Sequence, residues 1–209
     1  MGAGRNKALL DLGGRPVILH SIETFRGCCR RLVVVSAESD WPEMRALVPD
    51  ALLVAGGVTR HGSEWNAIQA LADASEADVI AFHDAARPLV EAHDVRAVFE
   101  AAREHGAAML AAPSRVPALE VAGGRVARAH PAERVWRALT PQGARADWLR
   151  AAYGRAAREG FDGTDTAAVL ERAGYAVRIV PARSPNPKIT VPADLEAAER
   201  LLARGTPHA

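Results

Sequence analysis

Val79-Ile80-Ala81-Phe82-His83-Asp84-Ala85-Ala86-Arg87-Pro88 is the stretch that decides the fold. Its first four residues form a short, uninterrupted apolar run, the pattern of a strand covered on both faces, as parallel strands between helices are. The polar residues follow at once, so a carboxylate, Asp84, and a guanidinium, Arg87, arrive at the carboxyl end of that strand. In open α/β sheets this rim is where ligands bind. A second reading stays open, in which Asp84 and Arg87 pair with each other and cap the next helix.

Outward from this stretch, strand and helix alternate. Leu32-Val33-Val34-Val35 reads as a strand and Pro42 to Val48 as a helix with proline in its first turn. Ala51-Leu52-Leu53-Val54 is the next strand, followed by Gly56-Gly57 and a helix from about Gly62 to Ala74. Beyond the central strand, Asp78 to His83, a helix over Ala92 to His105 puts Val95, Val98 and Phe99 on one face, and Ala107 to Ala111 returns as a strand. Helices near Asp147 to Glu159 and Thr164 to Ala173, the strand Val177 to Val180 and a closing helix from about Pro192 to Arg204 continue the series. The alternation predicts an α/β fold with a mostly parallel sheet and helices on both faces. The exception is Leu119-Glu120-Val121-Ala122, Gly123-Gly124, Arg125-Val126-Ala127-Arg128, which reads as strand, two-residue turn, strand. Within an arm of about residues 114–135, this hairpin has too few large apolar groups to stand alone in water and is expected to pack on a second copy of the chain.

Composition narrows the function. With 209 residues, 49% of them hydrophobic, the chain can bury one large core, and a single domain over 1–209 is expected. Lys and Arg number 26 against 25 Asp and Glu, so no global field favours a polyanion and nucleic-acid binding is not expected. Cys28 and Cys29 are adjacent and have no zinc-ligand spacing, which suits a reducing cytoplasm. No apolar run is long enough to span a membrane. His20, His61 and His105 share no metal spacing, and the four tryptophans are scattered as packing residues.

Three further segments place polar groups where a ligand could meet them. Lys7 follows Gly-rich Met1 to Asn6, a pattern that lets backbone N–H groups and an ammonium approach phosphates, although an ordinary chain terminus has the same look. Gly56-Gly57 with Arg60 and Ser63 suits closure over a flat base, or is a plain glycine turn. Lys188 sits between Pro187 and Pro192, held for a ligand or simply solvated.

In order along the chain, these motifs resemble the 2-C-methyl-D-erythritol 4-phosphate cytidylyltransferases: Asn6-Lys7-Ala8-Leu9-Leu10 with Leu12-Gly13-Gly14-Arg15-Pro16-Val17, Gly56 to Ser63, the His83 to Pro88 string, Leu139-Thr140-Pro141-Gln142, Thr164-Asp165 and Asn186 to Thr190. The resemblance implies a Rossmann-like nucleotidyltransferase fold of the glycosyltransferase-A type. It also implies a reaction in which the phosphate of methylerythritol phosphate attacks the α-phosphorus of CTP, with Mg²⁺ on the triphosphate. By resemblance Lys7, Arg134 and Lys188 are the catalytic cations, Gly57 and Ser63 bind the nucleotide, and Asp84, Arg87, Thr140 and Thr164 bind the acceptor. A homodimer built through the arm would bring Arg134 and Thr140 to the partner's site. No direct protein ligand of the metal is implied.

The sequence also departs from the resemblance. The family's first strand and Ala-Ala-Gly-x-Gly-x-Arg loop have no counterpart, so either the start codon lies upstream of Met1 or the chain lacks a central strand. The first is favoured, because losing such a strand exposes ladder groups and apolar surface, and residues 1–209 alone are expected to be inactive or poorly folded. In the arm, Val116-Pro117 stand for an Asp-Thr pair, Leu119 for a lysine and Glu133 for an aspartate, and two residues are missing between Arg134 and Trp136. Thr166 replaces an acidic residue. These changes leave acceptor identity the open question: another polyol phosphate such as ribitol 5-phosphate, or an inactive paralogue, are the alternatives.

Overall fold

The computed structural model describes residues 6–203. Along the chain run β1 (Asp11–Leu12), β2 (Arg15–Pro16), α1 (Val17–Arg26), β3 (Val33–Ser36), α2 (Trp41–Leu47), β4 (Leu52–Ala55), α3 (Arg60–Ala70), β5 (Val79–Phe82) and α4 (Ala92–His105). They are followed by β6 (Ala107–Pro113), β7 (Ala118–Ala122), β8 (Arg125–His130), β9 (Trp136–Arg145), α5 (Ala146–Glu159), α6 (Thr166–Arg172), β10 (Arg178–Pro181) and α7 (Pro192–Ala203). The main sheet has the order β10-β6-β9-β5, and β3 pairs with β4 as a separate parallel ribbon.

The mostly parallel α/β fold is present, with one strand reversed. β10 lies parallel to β6, while β9 is antiparallel to both β6 and β5. Periodicity gave no expectation of β9 or α1. β9 reads Trp-Arg-Ala-Leu-Thr-Pro-Gln-Gly-Ala-Arg, polar enough to pass for a loop, and becomes a strand because both its edges are paired. A register shift between Met109 and Ala111 of β6 lets the long strand turn out of the sheet toward the arm.

Alternation along β5 shows how the layers sit. Ile80 and Phe82 pack with α3, α5 and α6 through Ile68, Leu149 and Leu170, whereas Val79 and Ala81 pack with α1 and α4 through Phe25, Val95 and Phe99. The two helix layers therefore cover opposite faces. Tyr153, Leu149 and Val98 are among the fully buried side chains of these layers. Gly106 ends α4 at φ +88°, and an added Cβ would lie 2.2 Å from the Trp148 ring, so only glycine fits this turn.

The hairpin forms as expected, β7 against β8 around Gly123-Gly124, both at positive φ as a two-residue hairpin turn requires. It projects from the body, with Leu119, Val121 and Val126 all more than half exposed. Cys28 and Cys29 are both free. Among the described residues no helix is long and apolar enough to cross a membrane.

Candidate active site

The rim is organised around Asp84, two residues past the end of β5. Its carboxylate meets Lys188 Nζ at 3.0 Å, Arg87 Nε at 3.4 Å and Arg60 Nη2 at 3.4 Å. These cations hold its pKa below the usual carboxylate range although burial pushes the other way. Both readings of the Asp84–Arg87 pair therefore meet: the two residues pair, and the pair belongs to a larger cluster. Arg87 also donates to the Asn186 carbonyl at 2.7 Å, and Ile189 N–H donates to the Ala86 carbonyl, which ties the Asn186 to Thr190 segment to the rim.

A buried relay sets the direction of Asp84. The His83 ring lies tilted at 46° against Phe25, with centroids 5.0 Å apart, and desolvation pushes its pKa down to about 4, so the ring is neutral at pH 7. Nε2 faces the Arg87 carbonyl at 3.0 Å, an acceptor only, and must carry the proton. Nδ1 is then an acceptor, and Thr140, 3.0 Å away, donates its hydroxyl hydrogen to it. The same hydroxyl accepts from Asp84 N–H at 3.1 Å. Asn186 Nδ2 closes the relay by donating to the Thr140 carbonyl at 2.8 Å.

On the other side, the turn after β4 is built on Ser63 and Thr59. Ser63 Oγ accepts from Gly57 N–H at 3.0 Å and donates to the Thr59 carbonyl at 3.0 Å. Thr59 caps α3 through Gly62 N–H. A Cβ on Gly57 would lie 2.6 Å from the Gly62 carbonyl carbon and 2.8 Å from Ser63 N, so the turn requires glycine. Arg60 spans the rim. It reaches Asp84, donates to the Thr164 carbonyl at 3.2 Å and pairs with buried Glu64 at 3.1 Å. Glu64 in turn accepts from the Tyr153 hydroxyl and, at 3.2 Å, from the Thr166 hydroxyl.

Six of the expected site residues thus meet through direct contacts or shared partners: Ser63's turn and Thr164 through Arg60, and Asp84, Arg87, Thr140 and Lys188 directly. Lys7 joins from the amino end, its Nζ donating to the Thr190 carbonyl at 2.9 Å. The Gly-rich residues 1–5 lie outside the described residues. Arg134 lies on the short helical turn at the base of the arm and is exposed to solvent. Thr140 is only 3% exposed, and its hydroxyl bonds His83 and Asp84 of the same chain. Among the described residues no group of three or more His, Cys, Asp or Glu could hold a metal ion.

A rim of four cations beside a glycine turn is suited to phosphate and nucleotide chemistry, and comparison with known proteins decides the family. Residues 1–204 match the family of 2-C-methyl-D-erythritol 4-phosphate cytidylyltransferase, IspD. The chain belongs to the IspD family. A curated relative of that name from Bacillus velezensis is 35% identical over 97% of this chain and 90% of its own length. The one from Symbiobacterium thermophilum is 37% identical over 97% and 87%. The crystal structure of the Thermus thermophilus cytidylyltransferase superposes with a TM-score of 0.80 at 33% identity, covering 95% of this chain and 94% of that one.

Several residues of this IspD family site were not legible as such in the sequence. His83 and Asn186 stood inside quoted motifs, but their roles depend on packing across 57 and 46 residues of chain. Glu64 and Tyr153 gave no signal, since each sits on a helix face that reads as core. Gln142 also bridges distant elements, donating to Asp165 at 3.1 Å and accepting from Ala167 N–H at 2.9 Å.

Proposed function

We propose that this site transfers CMP from CTP to the phosphate of 2-C-methyl-D-erythritol 4-phosphate, releasing pyrophosphate. The observation that carries the reading is the convergence of Lys7, Arg60, Arg87 and Lys188 on one rim, in a chain of the IspD family. An acceptor phosphate oxygen forms a new bond to the α-phosphorus as the bond to the pyrophosphate oxygen breaks, and pyrophosphate leaves with the electron pair. The nucleophile is already an anion and needs no general base. The barrier lies in bringing like charges together, which fixed cations in a partly desolvated cleft reduce.

In this scheme Lys7 stabilises charge on the transferring phosphoryl group and Lys188 holds the attacking phosphate. Asp84 keeps Lys188 and Arg87 in place before substrate arrives and accepts a hydrogen bond from an acceptor hydroxyl. Gly57 lets the backbone close on the cytosine, with Ser63 fixing the turn. Thr140 acts through Asp84. Arg134 and Thr164 extend the acceptor side, Arg134 from a partner subunit through the arm. Mg²⁺ suits this rim as a companion of the triphosphate, because it keeps mainly water and phosphate ligands. When bound it neutralises charge on the triphosphate. A cytoplasmic homodimer completes the reading.

The test is to incubate the full-length gene product with CTP, Mg²⁺ and either methylerythritol phosphate or ribitol 5-phosphate, following pyrophosphate release and the mass of the CDP-alcohol. Product from methylerythritol phosphate is expected, and Lys188→Ala should slow it at least about a hundredfold. Product from ribitol 5-phosphate alone would overturn the acceptor, and no product from either would favour an inactive paralogue.

A further inference from the structure

β9 runs further than its neighbour β5. Phe82, the last residue of β5, pairs with Gln142, while β6 stays paired with β9 as far as Pro113 and Trp136. Because β9 is antiparallel to β5, residues 136–141 stand past the carboxyl end of β5, at the rim that carries Asp84 and Arg87. Thr140 marks this placement, its hydroxyl accepting from Asp84 N–H at 3.1 Å and its carbonyl from Asn186 Nδ2 at 2.8 Å. Arg137 pairs with Ala112 of β6 and precedes Thr140 by three residues, at most about 10 Å of extended chain.

Arg137 is exposed, and among the described residues it makes no hydrogen bond and no ion pair with a carboxylate. What it meets is the field of another cation. Burial is the first reason that Arg87 is held below the usual arginine range, and the charges of Arg60 and Arg137 push it the same way. Against this Arg87 sets Asp84 Oδ2 at 3.4 Å and the Asn186 carbonyl at 2.7 Å. Arg60 is matched by Glu64 at 3.1 Å, and Lys188 shares Asp84 at 3.0 Å. Four cations, Arg60, Arg87, Arg137 and Lys188, thus gather round two carboxylates, a surplus of two positive charges. A phosphate monoester carries about −1.5 to −2 charges at pH 7 and takes forked bonds from guanidinium groups.

We propose that Arg137 and Arg87 together clasp the phosphate of the acceptor, with Arg137 as the outer half of the clasp. The inference rests on the reading of this site as a polyol phosphate cytidylyltransferase. The Gly57 turn follows β4 of the separate β3-β4 ribbon and reaches Asp84 through Arg60, whereas Arg137 comes from β9, the neighbour of β5 in the main sheet. Arg137 therefore belongs to the acceptor side of Asp84 and not to the nucleotide turn. A phosphate seated between the two guanidinium groups replaces their repulsion by charge-assisted hydrogen bonds. Arg134 lies three residues earlier, on the helical turn at the base of the arm. Arg137 is fixed instead by the β6 ladder, so its reach does not depend on how the arm packs.

Calorimetric titration tests the clasp apart from turnover. The parent, Arg137→Ala and Arg137→Lys are each titrated with methylerythritol phosphate, ribitol 5-phosphate and CTP. Arg137→Ala should bind the polyol phosphate that the parent accepts at least about tenfold more weakly, with its affinity for CTP within about twofold of the parent. Arg137→Lys keeps the charge and loses the fork, and should recover part of that loss. In turnover the alanine variant should raise KM for the acceptor by a similar factor and leave KM for CTP unchanged. An unchanged acceptor affinity in Arg137→Ala, an equal loss for CTP, or a lysine variant no better than the alanine one would overturn the proposal. If the parent binds neither polyol phosphate, the acceptor reading fails on its own account, and inorganic phosphate becomes the probe. Phosphate binding that Arg137→Ala weakens about tenfold then upholds the clasp, whereas binding that it leaves unchanged, or none to the parent, overturns it.

Discussion

Replacing Thr140 by valine removes one oxygen and keeps the shape of the side chain, which makes it the sharpest probe of how Asp84 is held. The Thr140 hydroxyl satisfies two groups at once, His83 Nδ1 at 3.0 Å and Asp84 N–H at 3.1 Å, in a residue only 3% exposed. Valine leaves a buried acceptor and a partly buried donor without partners, each worth about 1–3 kcal/mol. A total of about 3 kcal/mol follows, and for a chain of this size that lowers Tm by about 6–12 °C. Activity should fall further than stability, because Asp84 loses the bond that sets its backbone while Lys188 and Arg87 still pull on its carboxylate. Thr140→Ser keeps the hydroxyl and should recover most of both losses. Thermal unfolding and steady-state turnover of the two variants check this, and a His83→Phe background isolates the relay as a coupling energy. A Thr140→Val protein within about 0.5 kcal/mol of the parent, or a serine variant as damaged as the valine one, would refute the relay.

Three other outcomes follow from the same geometry. His83 has its pKa lowered to about 4 from an unfolded value near 6.5, so its contribution is complete above pH 6.5 and lost as pH falls toward 4, amounting to about 3 kcal/mol; denaturant unfolding across that window should be measurably steeper in pH for the parent than for His83→Asn. Glu64→Ala strips Arg60, Tyr153 and Thr166 of their shared partner and should cost about 3–4 kcal/mol by urea titration, with a raised KM for CTP because Arg60 loses its anchor. Gly57→Ala meets backbone atoms that cannot give way, so the turn must open, and calorimetric CTP binding should weaken by about tenfold or more while the far-UV circular dichroism stays unchanged.

Much of this fold was legible because apolar runs and helical faces report burial directly. The strand Val79–Phe82, the helix Ala92–His105 and the Gly123-Gly124 hairpin are where periodicity and turn chemistry put them. β9 was not, since Arg137, Thr140, Pro141 and Gln142 carry no strand signal and are held by pairing with β5 and β6. The site divides the same way. Asp84, Arg87 and Lys188 could be named from short motifs, while the partners that orient them, His83, Thr140 and Asn186, act across long separations in the chain.

By itself the sequence determined the alternating α/β order, the rim position of Asp84 and Arg87, and the ordered motifs of the IspD family, because each is written in contiguous residues. Only the tertiary structure decided that Thr140 faces inward to His83 and that Glu64 anchors Arg60. Those depend on which distant surfaces meet, and on which polar groups burial then forces to find a partner.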